Sequence, residues 1–289
     1  MTTTAATFET APTRSVFDAS RIALGALMLR DLVVLKKTFR EFVLRTLIQP
    51  FLLCFVFLFV FPKIGQAVGG SSSHGGGASA FATVLVPGVV GISIMFQGVQ
   101  SIALVMAQEF GFTREIEDRV QAPCPIWLVA VSKILSGAVQ GLIAAAIVFP
   151  IASVVHAAGV TADISLHWLI ILTLVPLACV TMAGLGLILG TSFEPRNIGL
   201  MFGFIILPIT FLGGTYYPWT HLAPVKIGGF HWLQTLVLIN PLVYVNEGMR
   251  AAFTNAPHMH LYVIYPVMVG FCAAFLWLGL RNFRRRVLS

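Results

Sequence analysis

Six apolar runs, each of about 20 residues or more, dominate this chain: roughly 43–64, 80–107, 126–155, 167–190, 197–217 and 259–281. A helix rises 1.5 Å per residue and so needs about 20 apolar residues to cross a hydrocarbon layer some 30 Å thick. In that layer every backbone N–H and C=O must be satisfied within its own segment, which makes helices the form these runs take. The runs therefore predict an all-α membrane protein with six transmembrane helices. Composition agrees, with 57% hydrophobic residues, 10% charged residues and a mean hydropathy of +0.91. A soluble domain of 289 residues needs far more charge to keep its surface in water.

The placement of charge predicts orientation. Arg281, Arg284, Arg285 and Arg286 end the last run abruptly. If the N-terminus is cytoplasmic, all of the 18 Lys and Arg except Lys63, Lys226 and Arg250 fall on the cytoplasmic side, as the positive-inside rule requires. Both termini are then expected in the cytoplasm, and the net charge of +7 reflects this asymmetry, not nucleic-acid binding. Residues 1–19 lack an apolar core behind an early positive region and read as a cytoplasmic tail, not a cleaved signal. Residues 20–42 mix apolar and basic side chains, as an interfacial helix does, the alternative being an extension of the first span. Residues 43–289 make up the membrane domain. Cys54, Cys124, Cys179 and Cys272 read as buried thiols, since no pair occupies an obvious outer loop. All seven histidines fall on the outer side, where Arg and Lys are scarce.

Two connections are unlike ordinary loops. The stretch QEFGFTREIEDRVQAPCPIW concentrates Glu109, Arg114, Glu115, Glu117, Asp118 and Arg119 before Pro123 and Pro125, predicting a short polar helix on the cytoplasmic side. The segment 213–258 is too long for a tight turn and too apolar for a solvated loop. It opens with FLGGTYYP at 211–218, where Gly213 and Gly214 end the fifth helix short. Tyr216, Tyr217 and Trp219 have interfacial character, and Pro218 turns the chain back. An apolar run too short to span follows, is broken at Asn240-Pro241, and resumes as VYVNEGMRAAF, suiting re-entrant helices. Glu247 and Arg250 lie three apart and pair on one face. The pairing matters if the helix enters the membrane and contributes little if it lies on the surface.

Within the spans the polar residues are few: Gln97, Gln100, Ser101, Lys133, Gln140 and Thr181. None is acidic, so a proton- or sodium-coupled carrier lacks its usual carboxylate. Lys133 is expected to snorkel to the cytoplasmic interface. Phe51, Phe55 and Phe59 recur at four-residue spacing on one stripe, which suits either an aromatic substrate path shared with Gln97 and Gln100 or a face toward lipid or a partner subunit. Small-residue pairs, Gly137 with Gly141 and Gly199 with Gly203, permit close helix approach. No His, Asp and Glu converge at one membrane face as an embedded enzyme or metal site would need, and no G-x-x-x-x-G-K-[ST] phosphate loop is present.

FLGGTYYP at 211–218, NPLVYVNEGMRAAF at 240–253 and EFGFTREIEDRVQAPCP at 109–125, in this order within a six-span chain, resemble the membrane subunits of ABC-2 type ABC transporters. The resemblance extends over nearly all of the chain beyond the tail. It looks nearest to the drug-resistance and lipooligosaccharide-export branch that includes the daunorubicin-exporter permeases. It implies that 20–42 is the connecting helix and that 109–123 is the coupling helix docked on an ATPase subunit. It also implies that 218–253 forms outer re-entrant helices, that two permeases line one path, and that two ATPase subunits carrying ATP and Mg drive alternating access. The expected cargo is a hydrophobic or amphipathic drug-like or lipid-linked molecule, with a polysaccharide, glycolipid or lipooligosaccharide as the alternative and a secondary carrier as the competing class. The Gly-rich insertion at 69–78 matches no family motif.

Overall fold

The computed structural model describes residues 16–64, 76–111, 125–155, 160–224 and 231–288; their regular structure is helical, with no strand among them. The helices, in order, are α1 (Val16–Lys37), α2 (Phe39–Lys63), α3 (Gly76–Gly111), α4 (Ile126–Val154), α5 (Trp168–Ser192), α6 (Ile198–Phe211), α7 (Trp232–Leu236), α8 (Pro241–Phe253) and α9 (Leu261–Leu288). Five of them, α2, α3, α4, α5 and α9, are long and apolar enough to cross a membrane. The expected fifth span is shorter than its apolar run, because α6 ends at Phe211 and at about 1.5 Å per residue reaches roughly 21 Å.

α3 forms the centre of the bundle, flanked by α5 and α4, while α5 also packs on α9. Close approach of α3 and α5 depends on glycine: an added Cβ at Gly186 would stand 2.8 Å from the Gly98 carbonyl oxygen, and one at Gly190 would stand 2.9 Å from Ala103 Cα. Gly137 and Gly141 likewise face Ile102 and Cys179, but among the described residues nothing lies within 4 Å of a Cβ added at Gly199 or Gly203, so the second small-residue pair makes no close helix contact there. Cys54, Cys179 and Cys272 are free and buried, as the apolar runs around them imply.

α1 is a separate helix, broken from α2 at Thr38, and it lies against α2 and α4. Ile22, Leu29 and Val33 remain exposed along it, as suits a helix bedded in an interface. α2 and α6 each contain a widened π-helical stretch, Phe55–Val60 and Phe202–Ile206. Pro62 and Pro208 cannot donate to the carbonyls four residues back, at Leu58 and Phe204, and the ladder widens where those bonds are missing.

The bundle thus has a basic end, carrying α1 and the C-terminal end of α9, and an opposite end, where α2, α4 and α6 stop and α8 is inserted. All thirteen residues of α8 are buried, against α3, α5 and α9. At about 20 Å this helix is too short to span and enters the bundle from one side, which is the re-entrant geometry that its break at Asn240-Pro241 predicts.

Candidate functional site

At the opposite end the two sequence motifs meet. Asn240 caps α8: its side-chain oxygen accepts from Leu242 N at 2.9 Å while Nδ2 donates to the Ile209 carbonyl of α6 at 2.7 Å. Pro241 occupies the first helical position, where its missing N–H costs nothing. One side chain therefore joins the end of α6 to the start of the re-entrant helix.

Glu247 and Arg250 form an ion pair at 2.8 Å with side chains 1% and 0% exposed. The helix is thus interior, and the alternative of a surface helix with a weak pair is overturned. Glu247 Oε1 also accepts from Trp219 N at 2.8 Å, and Oε2 accepts from Met259 N at 2.8 Å. Arg250 Nη2 donates to the Gly214 carbonyl and, at 3.3 Å, to that of Thr215. The 211–218 turn, the re-entrant helix and the lead into α9 are all fastened to this pair.

Asn246 adds a second tie, with Nδ2 donating to Gly213 O at 2.8 Å and to Thr215 Oγ1 at 2.9 Å. Gly213 cannot carry a side chain here, because a Cβ would meet Leu242 Cδ2 at 2.4 Å. Gly214 holds a left-handed φ of +67°, which L side chains rarely adopt. Tyr216 sits between Phe57 and Phe211, while the Tyr217 hydroxyl donates to Phe211 O at 3.1 Å, so both tyrosines brace the turn. Burial holds the Tyr217 phenol above its ordinary value, with the Arg250 charge pulling the other way, which keeps it a neutral donor. Pro218 directs the chain into the turn Trp219–Leu222.

At the basic end, α1, α2, α3 and α4 enclose a polar cavity of about 450 Å³. A chain of side chains crosses three spans on its wall. Thr46 Oγ1 donates to Gln97 Oε1 at 3.2 Å, and Gln97 Nε2 donates to Gln140 Oε1 at 3.2 Å. Arg45 donates to Gln100 Oε1 at 2.6 Å. Lys133 does not snorkel: it is buried and pairs with Glu109 at 2.8 Å. Glu109 lies in the last turns of α3, where the helix runs further than its apolar run and carries the carboxylate inward.

Glu109 is thus the one described member of the charged connection. Arg114, Glu115, Glu117, Asp118 and Arg119 lie outside the described residues. Phe51, Phe55 and Phe59 stack in sequence at 6.0 and 5.2 Å between centroids, and Lys63 caps the ladder 4.7 Å from the Phe59 ring. Phe51 and Phe55 are exposed and do not line the polar cavity, so the ladder and the glutamines occupy different surfaces. Arg45, Thr46, Asn246 and Thr215 join the site without having been singled out in the sequence. Asn246, one residue before Glu247 on an otherwise apolar helix, carries the signal that would have found it.

These features define a polytopic membrane protein with a polar cavity at one end and an ion-paired re-entrant helix at the other. The ABC-2 type transporter family model matches residues 23–254, and the chain belongs to that family. It is 27% identical over 240 residues to the inner membrane transport permease YadH of Escherichia coli K12, covering 80% of this chain and 84% of that one. The YadH proteins of Escherichia coli O157:H7 and Shigella flexneri match to the same extent. Family membership brings with it a membrane setting and an ABC ATPase subunit as partner.

Proposed function

We propose that this chain is the permease subunit of an ATP-driven exporter, lying in the plasma membrane of a bacterium with its basic end and both termini in the cytoplasm. It moves a hydrophobic or amphipathic molecule outward. The observation that carries this reading is the pairing of a polar cavity of about 450 Å³ at the basic end with a buried, ion-paired plug at the opposite end. That is the geometry of a path open to the cytoplasmic half and closed outside. Gln97, Gln100 and Gln140 offer neutral donors and acceptors to a polar head, while the Phe51, Phe55 and Phe59 ladder, exposed at Phe51 and Phe55, offers an apolar tail a surface next to lipid.

ATP and Mg bind the partner ATPase, and this chain receives the motion. The connection 109–123 docks as the coupling helix, using Arg114, Glu115, Glu117, Asp118 and Arg119. Glu109 and Lys133 clasp its two flanks, so that α3 and α4 move as one when it is pushed. Opening outside then requires α8 to shift against the Gly213-Gly214 turn. Two copies of this permease, or this chain and a related one, assemble with two ATPase subunits. The YadH likeness supports transport without indicating the cargo, and drug-like and lipid-linked glycan substrates both fit a polar head joined to an apolar tail.

The test is co-purification with the ATPase encoded beside this chain, then hydrolysis assays in lipid across hydrophobic drugs and glycolipids. A stable complex stimulated by one class supports the reading and identifies the cargo class. No complex with any phosphate-loop ATPase overturns it.

A further inference from the structure

A groove of about 950 Å³ lies at the basic end between the start of α4 and the end of α9, away from the polar cavity. Its walls are Trp127 and Trp277, 54% and 60% exposed, with Leu280 and Leu288. Arg281, Arg284 and Arg285 stand at its rim, spaced by three and four residues and so on one helix face. Among the described residues none of these arginines has a carboxylate partner, and the Arg281 guanidinium lies 5.3 Å from the Trp277 ring centroid. Among the described residues no side chain caps the N-terminus of α4, which adds the positive end of a helix dipole to the same rim.

We infer that this groove is a binding site for an anionic phospholipid of the leaflet at the basic end. Its phosphates would be held by Arg281, Arg284 and Arg285, and its acyl chains would lie along Trp127, Trp277 and Leu280. Trp277 is seven residues before Arg284, about 10 Å deeper along the helix, which is the offset between a phosphate and the upper acyl chain. Guanidinium groups hold phosphate oxygens through paired N–H donors, and basic pockets between spans at this depth suit such headgroups. Three positive charges with no carboxylate partner among the described residues favour a two-phosphate lipid of the cardiolipin type over a one-phosphate glycerol lipid, and either over a zwitterionic one. The inference depends neither on the direction of transport nor on its cargo.

The experiment uses the full chain in nanodiscs or mild detergent, with cardiolipin, phosphatidylglycerol and phosphatidylcholine as probes and native mass spectrometry counting the lipid retained. Attraction of about fivefold per arginine predicts a loss of roughly 100-fold in cardiolipin affinity for Arg281→Gln/Arg284→Gln/Arg285→Gln. Removing three charges elsewhere at the same end, in Lys36→Gln/Lys37→Gln/Arg40→Gln, leaves retention unchanged. If the arginine variant inserts poorly, Trp127→Ala/Trp277→Ala keeps every charge and still loses about tenfold. Equal retention by either groove variant, or an equal loss in the lysine control, overturns the inference. So does expulsion of the lipid when the ATPase subunit or a second copy of the chain assembles, because a protein would then be the occupant.

Discussion

Asn246 and Gly91 occupy one space: a Cβ on Gly91 would stand 1.9 Å from the Asn246 side-chain oxygen. The Asn246 amide can therefore keep its place between α8 and α3 only because residue 91 has no side chain. Gly91→Ala should push Asn246 off Gly213 O and Thr215 Oγ1 and cost about 1–3 kcal/mol, the usual range for overpacking. Thermal unfolding in detergent reads this. Adding Asn246→Ala to the glycine variant should recover part of the loss, because the clash is then removed.

The Glu247–Arg250 pair predicts an asymmetric mutational response. Arg250→Ala leaves a buried carboxylate without its cation and should cost about 3–5 kcal/mol. The double variant Glu247→Leu/Arg250→Met should cost less than the sum of the two single changes, as a double-mutant cycle in unfolding experiments will measure. Additive losses would mean that the two side chains act separately.

At the turn, Gly214→Ala forces a side chain into the left-handed region and should cost about 1–2 kcal/mol. Replacing both Gly213 and Gly214 by Leu should abolish export, since Leu242 already fills the space a side chain at 213 would need. Unchanged transport by the double variant would show that the turn has no part in opening.

Coupling should depend on charge at the connection. Glu115→Lys/Asp118→Lys is expected to leave the spans folded and to separate ATP hydrolysis from transport. Lys133→Met should produce a similar uncoupling, and the reversed pair Glu109→Lys/Lys133→Glu should restore it in part. ATP hydrolysed per substrate moved is the readout, and an unaltered ratio in the first variant would remove the coupling role.

The spans were legible because hydrocarbon imposes a length and an apolar run that the sequence must display directly. The re-entrant helix was legible too, since Asn240-Pro241 is both its break and its cap. The apolar run of the fifth span reaches 217, but the helix stops at Phe211, and the Gly213-Gly214 pair is the sequence signal for that early end, since the turn needs a conformation that a helix cannot supply. Lys133 was misread because its partner Glu109 is 24 residues away, across a charged connection that made the carboxylate look solvated. The Thr46–Gln97–Gln140 chain was invisible for a similar reason. Each polar group stood alone in its own run, and only the packing of three helices brings them together.

The most direct test is substrate movement in proteoliposomes containing this chain and its ATPase, with ATP on the side of the basic end and an ionophore collapsing every ion gradient. The account predicts transport away from the ATP-exposed side that persists with the ionophore and stops without hydrolysable ATP. Transport that ignores ATP and fails when the gradients collapse would contradict it and make this chain a carrier.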